Sequence, residues 1–225
     1  MSLQEKLDAF KADFEAGKEP YRVPRSVVET MHRATAELEA SGQVERARSV
    51  GARAPEFALP DGGGEIVRSS DLLAQGPLVV SFYRGVWCPY CNTELQALEA
   101  FLPQIREQGG ALVAISPQSA ANSRKSARQN KLSFPILSDQ GNEAAATFGL
   151  RYQLPDYLIE LYQQLGNNLP LVNGDPSWTL PIPGRYVIGQ DGLILYAGIN
   201  ADYTQRPEPE DMLPALRQAS VARAA

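Results

Sequence analysis

A layered α/β body is what this sequence predicts, on three observations. Residues 78–83 and 111–115 are near-continuous apolar runs, as expected of parallel strands buried on both faces. Around them, apolar residues recur at helical steps of three and four. Near the end the pattern changes, and Arg185-Tyr186-Val187-Ile188, the turn Gly189-Gln190-Asp191-Gly192 and Leu193-Ile194-Leu195-Tyr196 read as an antiparallel hairpin.

The elements follow in order. Over residues 2–16, Leu3, Leu7, Phe10 and Phe14 lie on one helical face, and Gly17 and Pro20 end the helix. Residues 26–40 repeat the pattern with Val27, Val28, Met31, Ala34 and Leu38, stopping at Ser41-Gly42. A two-helix preface with such stripes must cover something, either the body or a partner subunit in a homodimer. From Gly51 the chain turns extended, and Asp61-Gly62-Gly63-Gly64 reads as a hairpin turn before Glu65-Ile66-Val67. The triple glycine lacks the spacing and the strand-to-helix context of a dinucleotide site. After the strand at 78–83, a helix beyond Cys91 buries Leu95, Leu98, Leu102 and Ile105; Pro103 predicts a kink and Gly109-Gly110 the end. The strand 111–115, a polar helix at 120–130, a short strand at 134–137 and a helix at 143–148 come next. Parallel strands first and an antiparallel hairpin last resembles the order of a thioredoxin-like domain. Residues 150–178 exceed that minimal fold and read as a helical insertion, with a helix at 156–165 and a loop at Gly166-Asn167-Asn168. The expected plan is an N-terminal helical extension (1–50), a thioredoxin-like body (51–206, with the insertion at about 150–178) and a C-terminal helix (207–225).

Composition narrows the functions. With 44% hydrophobic and 21% charged residues, the 225-residue chain reads as an ordinary globular protein with one substantial core and an appendage. A net charge of −5 without a basic stripe argues against nucleic acid or an anionic membrane as partner. Residues 1–8 carry charges where a secretory signal needs an apolar stretch, and no apolar run approaches the ~20 residues of a membrane span, so a cytoplasmic location is expected.

Both cysteines of the chain lie in Trp87-Cys88-Pro89-Tyr90-Cys91, directly after the strand at 78–83. Cys-x-x-Cys at the opening of a helix can pass two electrons as a dithiol and a disulfide. In the cytoplasm a lone pair of this kind is catalytic more often than structural. Zinc needs about four ligands, and the only other Cys or His is His32, so neither a metal nor a cofactor is expected. His32 reads as a solvated or capping residue, and without a second histidine or a serine motif Ser-His hydrolase chemistry has no support. A helix N-terminus lowers a thiol pKa through its free N–H groups and dipole. Arg84 or Arg185 would favour the thiolate further, although Arg84 reads at least as well as a solvated charge at a strand end. Trp87 and Tyr90 flank the thiols, either as a docking surface or as packing.

Residues 82–95 (Phe82-Tyr83-Arg84-Gly85-Val86-Trp87-Cys88-Pro89-Tyr90-Cys91-Asn92-Thr93-Glu94-Leu95), together with Ala54-Pro55-Glu56-Phe57 and Phe134-Pro135-Ile136-Leu137-Ser138-Asp139, resemble the peroxiredoxin-like proteins of the alkyl hydroperoxide reductase and thiol-specific antioxidant family. The resemblance runs from about Gly51 to the last hairpin. It implies a thioredoxin fold, a reactive cysteine at the start of a helix, and reduction of peroxides at the expense of thiols. Aligned on Phe82-Tyr83 and Glu94, Cys91 falls on the family's peroxidatic cysteine and Cys88 on the threonine of its P-x-x-x-T-x-x-C motif, while Arg84 replaces the motif's proline. The arginine that the family carries before its penultimate strand is replaced by Pro183, which resembles the cis-proline of thioredoxins. A cis Ile182–Pro183 bond facing the thiols is therefore expected, with Arg185 as the substitute cation. Cys-Pro-Tyr-Cys is also the active-site tetrad of glutaredoxins.

These readings lead to a thiol-dependent oxidoreductase that reduces hydrogen peroxide or organic hydroperoxides through a Cys88–Cys91 cycle and is re-reduced by a thioredoxin- or glutathione-type partner. A protein disulfide reductase is the alternative, and a redox-sensing module whose preface redocks on oxidation is the non-catalytic one. The thioredoxin pattern makes Cys88 the exposed nucleophile, and the peroxiredoxin alignment makes it Cys91. We expect Cys88 to attack disulfides and Cys91 to attack peroxide.

Overall fold

A computed structural model describes residues 1–224, with side chains as far as Ser220. The preface forms both of its helices. Ser2 and Glu5 cap each other's backbone N–H groups at the start of α1 (Leu3–Glu15), a reciprocal capping box. This helix buries Leu3 and Leu7, and α2 (Arg25–Ala40) buries Val27 and Val28. Short strands β1 (Ala58–Pro60) and β2 (Ile66–Arg68) make the expected hairpin, whose turn is held by Asp61 Oδ1 accepting from the backbone N–H groups of Gly63 and Glu65. A five-residue helix, α3 (Ser69–Leu73), follows. Then come β3 (Leu78–Phe82), α4 (Pro89–Glu107), β4 (Ala111–Ser116), α5 (Ala120–Asn130), β5 (Ile136–Ser138) and α6 (Glu143–Thr147). α4 continues past Pro103, where the sequence predicts a kink.

The inserted segment leaves the body on β6 (Arg151–Gln153) and returns on β7 (Thr179–Pro181), which pair antiparallel as a neck. Between them lie α7 (Asp156–Gln164) and α8 (Leu169–Asn173). The body closes with β8 (Gly184–Ile188), β9 (Ile194–Ile199) and α9 (Leu213–Ala224); Ala225, the last residue of the expected C-terminal helix, lies outside the described residues. Among the described residues, no helix is long and apolar enough to cross a membrane.

The central sheet runs β5-β4-β3-β8-β9. β3 pairs parallel with β4 and antiparallel with β8, so Val80 faces Val113 on one side and Tyr186 on the other. This is the thioredoxin-like α/β arrangement. Because β3 is central, all five of its residues are buried, which is why its sequence is apolar without alternation. One face of the sheet packs Val79 and Leu112 against Leu95 and Leu98 of α4, Leu216 of α9 and Leu3 and Leu7 of α1. The other packs Leu78, Val80 and Phe82 against Phe57, Phe148 and Leu150. A third cluster joins Val27 of α2 to Leu158, Leu161 and Tyr162 of α7.

The preface is thus part of the folded body. α1 contributes to a core that it shares with α4, and α2 lies on the insertion. Leu7 is 1% exposed, so replacing it by alanine should cost about 2–5 kcal/mol of stability, read as a lower urea midpoint. An unchanged midpoint would mean that α1 folds independently of the body.

Candidate active site

Chain geometry at the end of β3 places the two cysteines. Gly85 has φ +148°, and a Cβ there would lie 2.6 Å from Trp87 Nε1, so this turn needs glycine for the indole to fold back over it. The Cys88 N–H donates to the Gly85 carbonyl at 3.1 Å, and Cys88 becomes the N-cap of α4 with Pro89 as first helical residue. Gln118, fully buried beyond β4, accepts from the Val86 N–H at 2.8 Å and donates to the Tyr83 hydroxyl at 2.6 Å. From α4, the Asn92 amide donates to the Val86 carbonyl at 2.9 Å. Side chains from two elements therefore hold the loop that presents the thiols.

Cys88 Sγ takes the place of a capping oxygen and accepts from the Cys91 N–H at 3.4 Å. The two Sγ atoms lie 2.7 Å apart, with the Cys91 thiol donating to Cys88, and both are reduced. Neither is exposed: Cys88 retains 1% of its surface and Cys91 none. Burial pushes the Cys88 thiol up, but the Cys91 hydrogen bond and the Arg84 and Arg206 cations outweigh it and bring its pKa down to about 6. Burial and the adjacent Cys88 sulfur hold Cys91 well above the ordinary thiol value. One proton shared unequally across the pair makes Cys88 the thiolate and Cys91 the thiol.

The cations differ in how they are held. Arg84 is 2% exposed and forms no ion pair among the described residues. Its guanidinium donates to the Tyr162 hydroxyl and lies 4.0 Å from the ring centre of Tyr203 and 4.8 Å from that of Trp87. Enclosure by three aromatic side chains removes the solvated reading of this arginine. Arg206, on the irregular segment after β9, donates from Nη2 to Cys91 Sγ at 3.7 Å and from Nε to Glu94 Oε2 at 2.5 Å. Arg185 donates to the other Glu94 oxygen at 2.7 Å and to the carbonyls of Pro207 and Glu208. Glu94 is thereby sandwiched between two buried arginines, which hold its carboxyl below the usual range against the upward push of burial.

Of the residues singled out from sequence, Cys88, Cys91, Arg84 and Trp87 meet at one place. Arg185 sits behind Glu94, and among the described residues its guanidinium donates to Glu94, Pro207 and Glu208 rather than to the sulfurs. Arg206, which sequence reasoning missed, supplies the second cation. Its only sequence signal is an arginine before Pro207, too common to carry weight. The Ile182–Pro183 bond is trans, and Pro183 does not line the pocket over Cys88, which corrects the thioredoxin-type expectation. The Ile182 N–H donates to the Leu150 carbonyl at 2.8 Å, so the chain stays extended as it passes from β7 through Pro183 into β8.

A pocket of about 690 Å³ lies over Cys88, between the start of α4 and the two preface helices. Phe10, Phe14, Met31, Trp87, Tyr90 and Tyr203 supply its apolar walls. Phe10 meets Tyr90 edge to face with ring centres 4.9 Å apart. His32, at the rim, is exposed and hydrogen-bonded to Glu15 at 2.7 Å.

The model of the AhpC/TSA family matches residues 50–197. Peroxiredoxin Q, chloroplastic, of Oryza sativa subsp. japonica is 27% identical over 162 residues, covering 72% of this chain and 62% of that protein. Thiol-disulfide oxidoreductase ResA of Bacillus thuringiensis subsp. konkukian is 26% identical over 117 residues, 52% of this chain and 66% of that protein. The chain thus spans less than two thirds of the length of these relatives. Among solved structures, peroxidoxin BcpB from Mycobacterium tuberculosis superposes with a TM-score of 0.59 at 24% identity, over 75% of this chain and 96% of that one, and so shares its fold.

Proposed function

Because the chain belongs to the AhpC/TSA family, we propose that it works as a thiol-dependent peroxidase acting on hydrogen peroxide or organic hydroperoxides. The observation that carries this reading is the buried pair itself, a thiol held at about 6 at a helix N-terminus with a second thiol 2.7 Å away. In this reading Cys88 attacks the terminal peroxide oxygen. The O–O bond breaks, an alcohol or water leaves, and Cys88 becomes a sulfenic acid. Cys91 then displaces water from that sulfur to give the Cys88–Cys91 disulfide, and a thioredoxin- or glutathione-type thiol returns the pair to the dithiol. Arg84 stabilises the thiolate and Trp87 walls the approach; Arg206 holds Cys91 and is itself held by Glu94. The attacking sulfur is Cys88 for peroxide as well as for disulfides, in place of the Cys91 that the family alignment favours. The compartment is the reducing cytoplasm, where such a pair cycles.

Steady-state assays with hydrogen peroxide and with a small disulfide, each coupled to a thiol reducing system, test the reading. Peroxide turnover is the expected result. Turnover of the disulfide alone would favour a thiol-disulfide oxidoreductase, the reading supported by the likeness to ResA.

The pH profile follows from the thiolate. A lowered thiol pKa means that the reactive form is present above about 6 and is lost as pH falls through that value. Alkylation of Cys88 by iodoacetamide should therefore climb through that range and level off near neutrality. In Arg84→Met the midpoint should move up toward the ordinary thiol value of about 8.5. A wild-type midpoint already at that value would remove the basis for Cys88 as nucleophile.

A further inference from the structure

The two segments that exceed a minimal thioredoxin-like fold meet above the thiols. α1 is fastened to the segment after β9: the Leu3 and Gln4 N–H groups donate to the Glu208 carboxylate at 2.8 and 2.9 Å. Gln4 Oε1 accepts from the Arg206 N–H at 2.8 Å. α2 is fastened to the insertion, where Tyr157 donates to Glu37 and the Arg33 guanidinium lies 4.0 Å from the Tyr157 ring centre. Both helices are therefore packed walls of the pocket of about 690 Å³ that leads to Cys88. That volume lies within the range of small-molecule sites. Its rim carries both signs of charge, Lys11 against Glu15, Glu39 and Asp202.

From this arrangement, and resting on the peroxidase reading above, we propose that the preface and the insertion form a size filter over Cys88. Both the peroxide and the thiol that reduces the enzyme are low-molecular-weight molecules, and the sulfur of a folded protein reductant is kept out. The physical reason lies in the exchange step. An incoming thiolate must come within bonding distance of a disulfide sulfur, about 2.05 Å. A sulfur 1% exposed beneath two packed helices meets that condition for a molecule that fits the pocket. A cysteine on the surface of another domain arrives with its own backbone alongside, and that backbone collides with α1 and α2. The cycle balances with two small thiols. The first opens the Cys88–Cys91 disulfide and remains as a mixed disulfide, and the second releases it, so that ROOH + 2 R′SH becomes ROH + H₂O + R′SSR′. A small thiol of mixed charge, such as a peptide thiol, suits the rim.

The test follows reduction of the preformed disulfide, which requires no peroxide and therefore stands or falls apart from the peroxidase assay. The full-length protein is oxidised with dipyridyl disulfide, and its reduction by dithiothreitol, by glutathione and by a bacterial thioredoxin is timed by acid-quenched alkylation of the freed Cys88 and Cys91 and intact mass. The same is done for Leu7→Asp, in which a carboxylate on the buried face of α1 undocks the helix without altering a pocket residue. The ratio of the thioredoxin rate to the dithiothreitol rate is expected to rise at least about tenfold in Leu7→Asp, with glutathione tracking dithiothreitol in both proteins. A ratio unchanged by Leu7→Asp would overturn the size filter. If Leu7→Asp fails to fold, the wild-type rate decides: reduction by thioredoxin at about 10⁵ M⁻¹s⁻¹ or faster, the ordinary range for unobstructed protein encounters, would overturn it, and a rate far below that supports it.

Discussion

Cys88→Ser should abolish peroxide reduction, and Cys91→Ser should preserve a single turnover that stops at a sulfenic acid. The argument runs through the proton. Only one of two sulfurs 2.7 Å apart carries the negative charge readily, and Cys88 has the Cys91 hydrogen bond and two cations in its favour. Removing the nucleophile of a covalent mechanism typically costs about 10³-fold or more, so Cys88→Ser should fall to the rate of free cysteine or below. In Cys91→Ser the thiolate remains, the resolving thiol is gone, and dimedone should label one equivalent of sulfenic acid on Cys88. The wild-type protein should instead lose two hydrogens in intact mass, because the second thiol closes the disulfide before further oxidation. Labelling of Cys91 in Cys88→Ser, with Cys91→Ser inert, would reverse the assignment and restore the family alignment.

Glu94→Gln should be the most damaging change outside the thiols. The carboxylate is 3% exposed and bonded to Arg185 at 2.7 Å and Arg206 at 2.5 Å, so its loss leaves two buried cations without a counter-charge. Breaking a buried ion pair from one side costs about 3–5 kcal/mol, and here two partners are stranded at once. Because the folded-state pKa of Glu94 is lowered, its contribution is present in full above the unfolded value of about 4.3 and is lost as pH falls through the lower folded value. The stability gap between wild type and Glu94→Gln, measured by urea unfolding, should therefore be widest at neutral pH and narrow in acid. A gap that does not change with pH would mean that the damage comes from packing rather than charge.

Long periodic elements were readable from residues alone, and short or irregular ones were not. The stripes Leu3, Leu7, Phe10, Phe14 and Val27, Val28, Met31, Ala34, Leu38 announce two amphipathic helices, because steps of three and four sustained over about three turns are hard to produce otherwise. The β6–β7 neck and α3 passed unnoticed because elements of three to five residues carry no period. The Cys-x-x-Cys pair was legible as a unit, since its chemistry depends on a spacing visible in the chain. Its cations were not. Arg84 stands at a strand end, where an arginine ordinarily reaches water, and only the side chains of Tyr162 and Tyr203 from distant segments enclose it. Arg206 lies 115 positions from Cys91 on a segment without regular structure. Pro183 misled for the opposite reason: its position relative to Tyr186 matched a familiar pattern, whereas the Ile182 hydrogen bond to Leu150 carries the chain straight through it.

The isolation of Arg84 also bears on the direction in which electrons flow. This buried cation forms no ion pair among the described residues, and the Cys88 sulfur is among the few groups that bring negative charge to it. Forming the disulfide neutralises that sulfur and leaves the guanidinium facing only aromatic rings and a phenol. Whatever stabilises the thiolate must, by the same amount, favour the reduced pair over the oxidised one, which raises the reduction potential. A couple poised in this way draws electrons from weak donors and surrenders them only to a strong oxidant, so the arginine biases the whole cycle toward the waiting, reduced state.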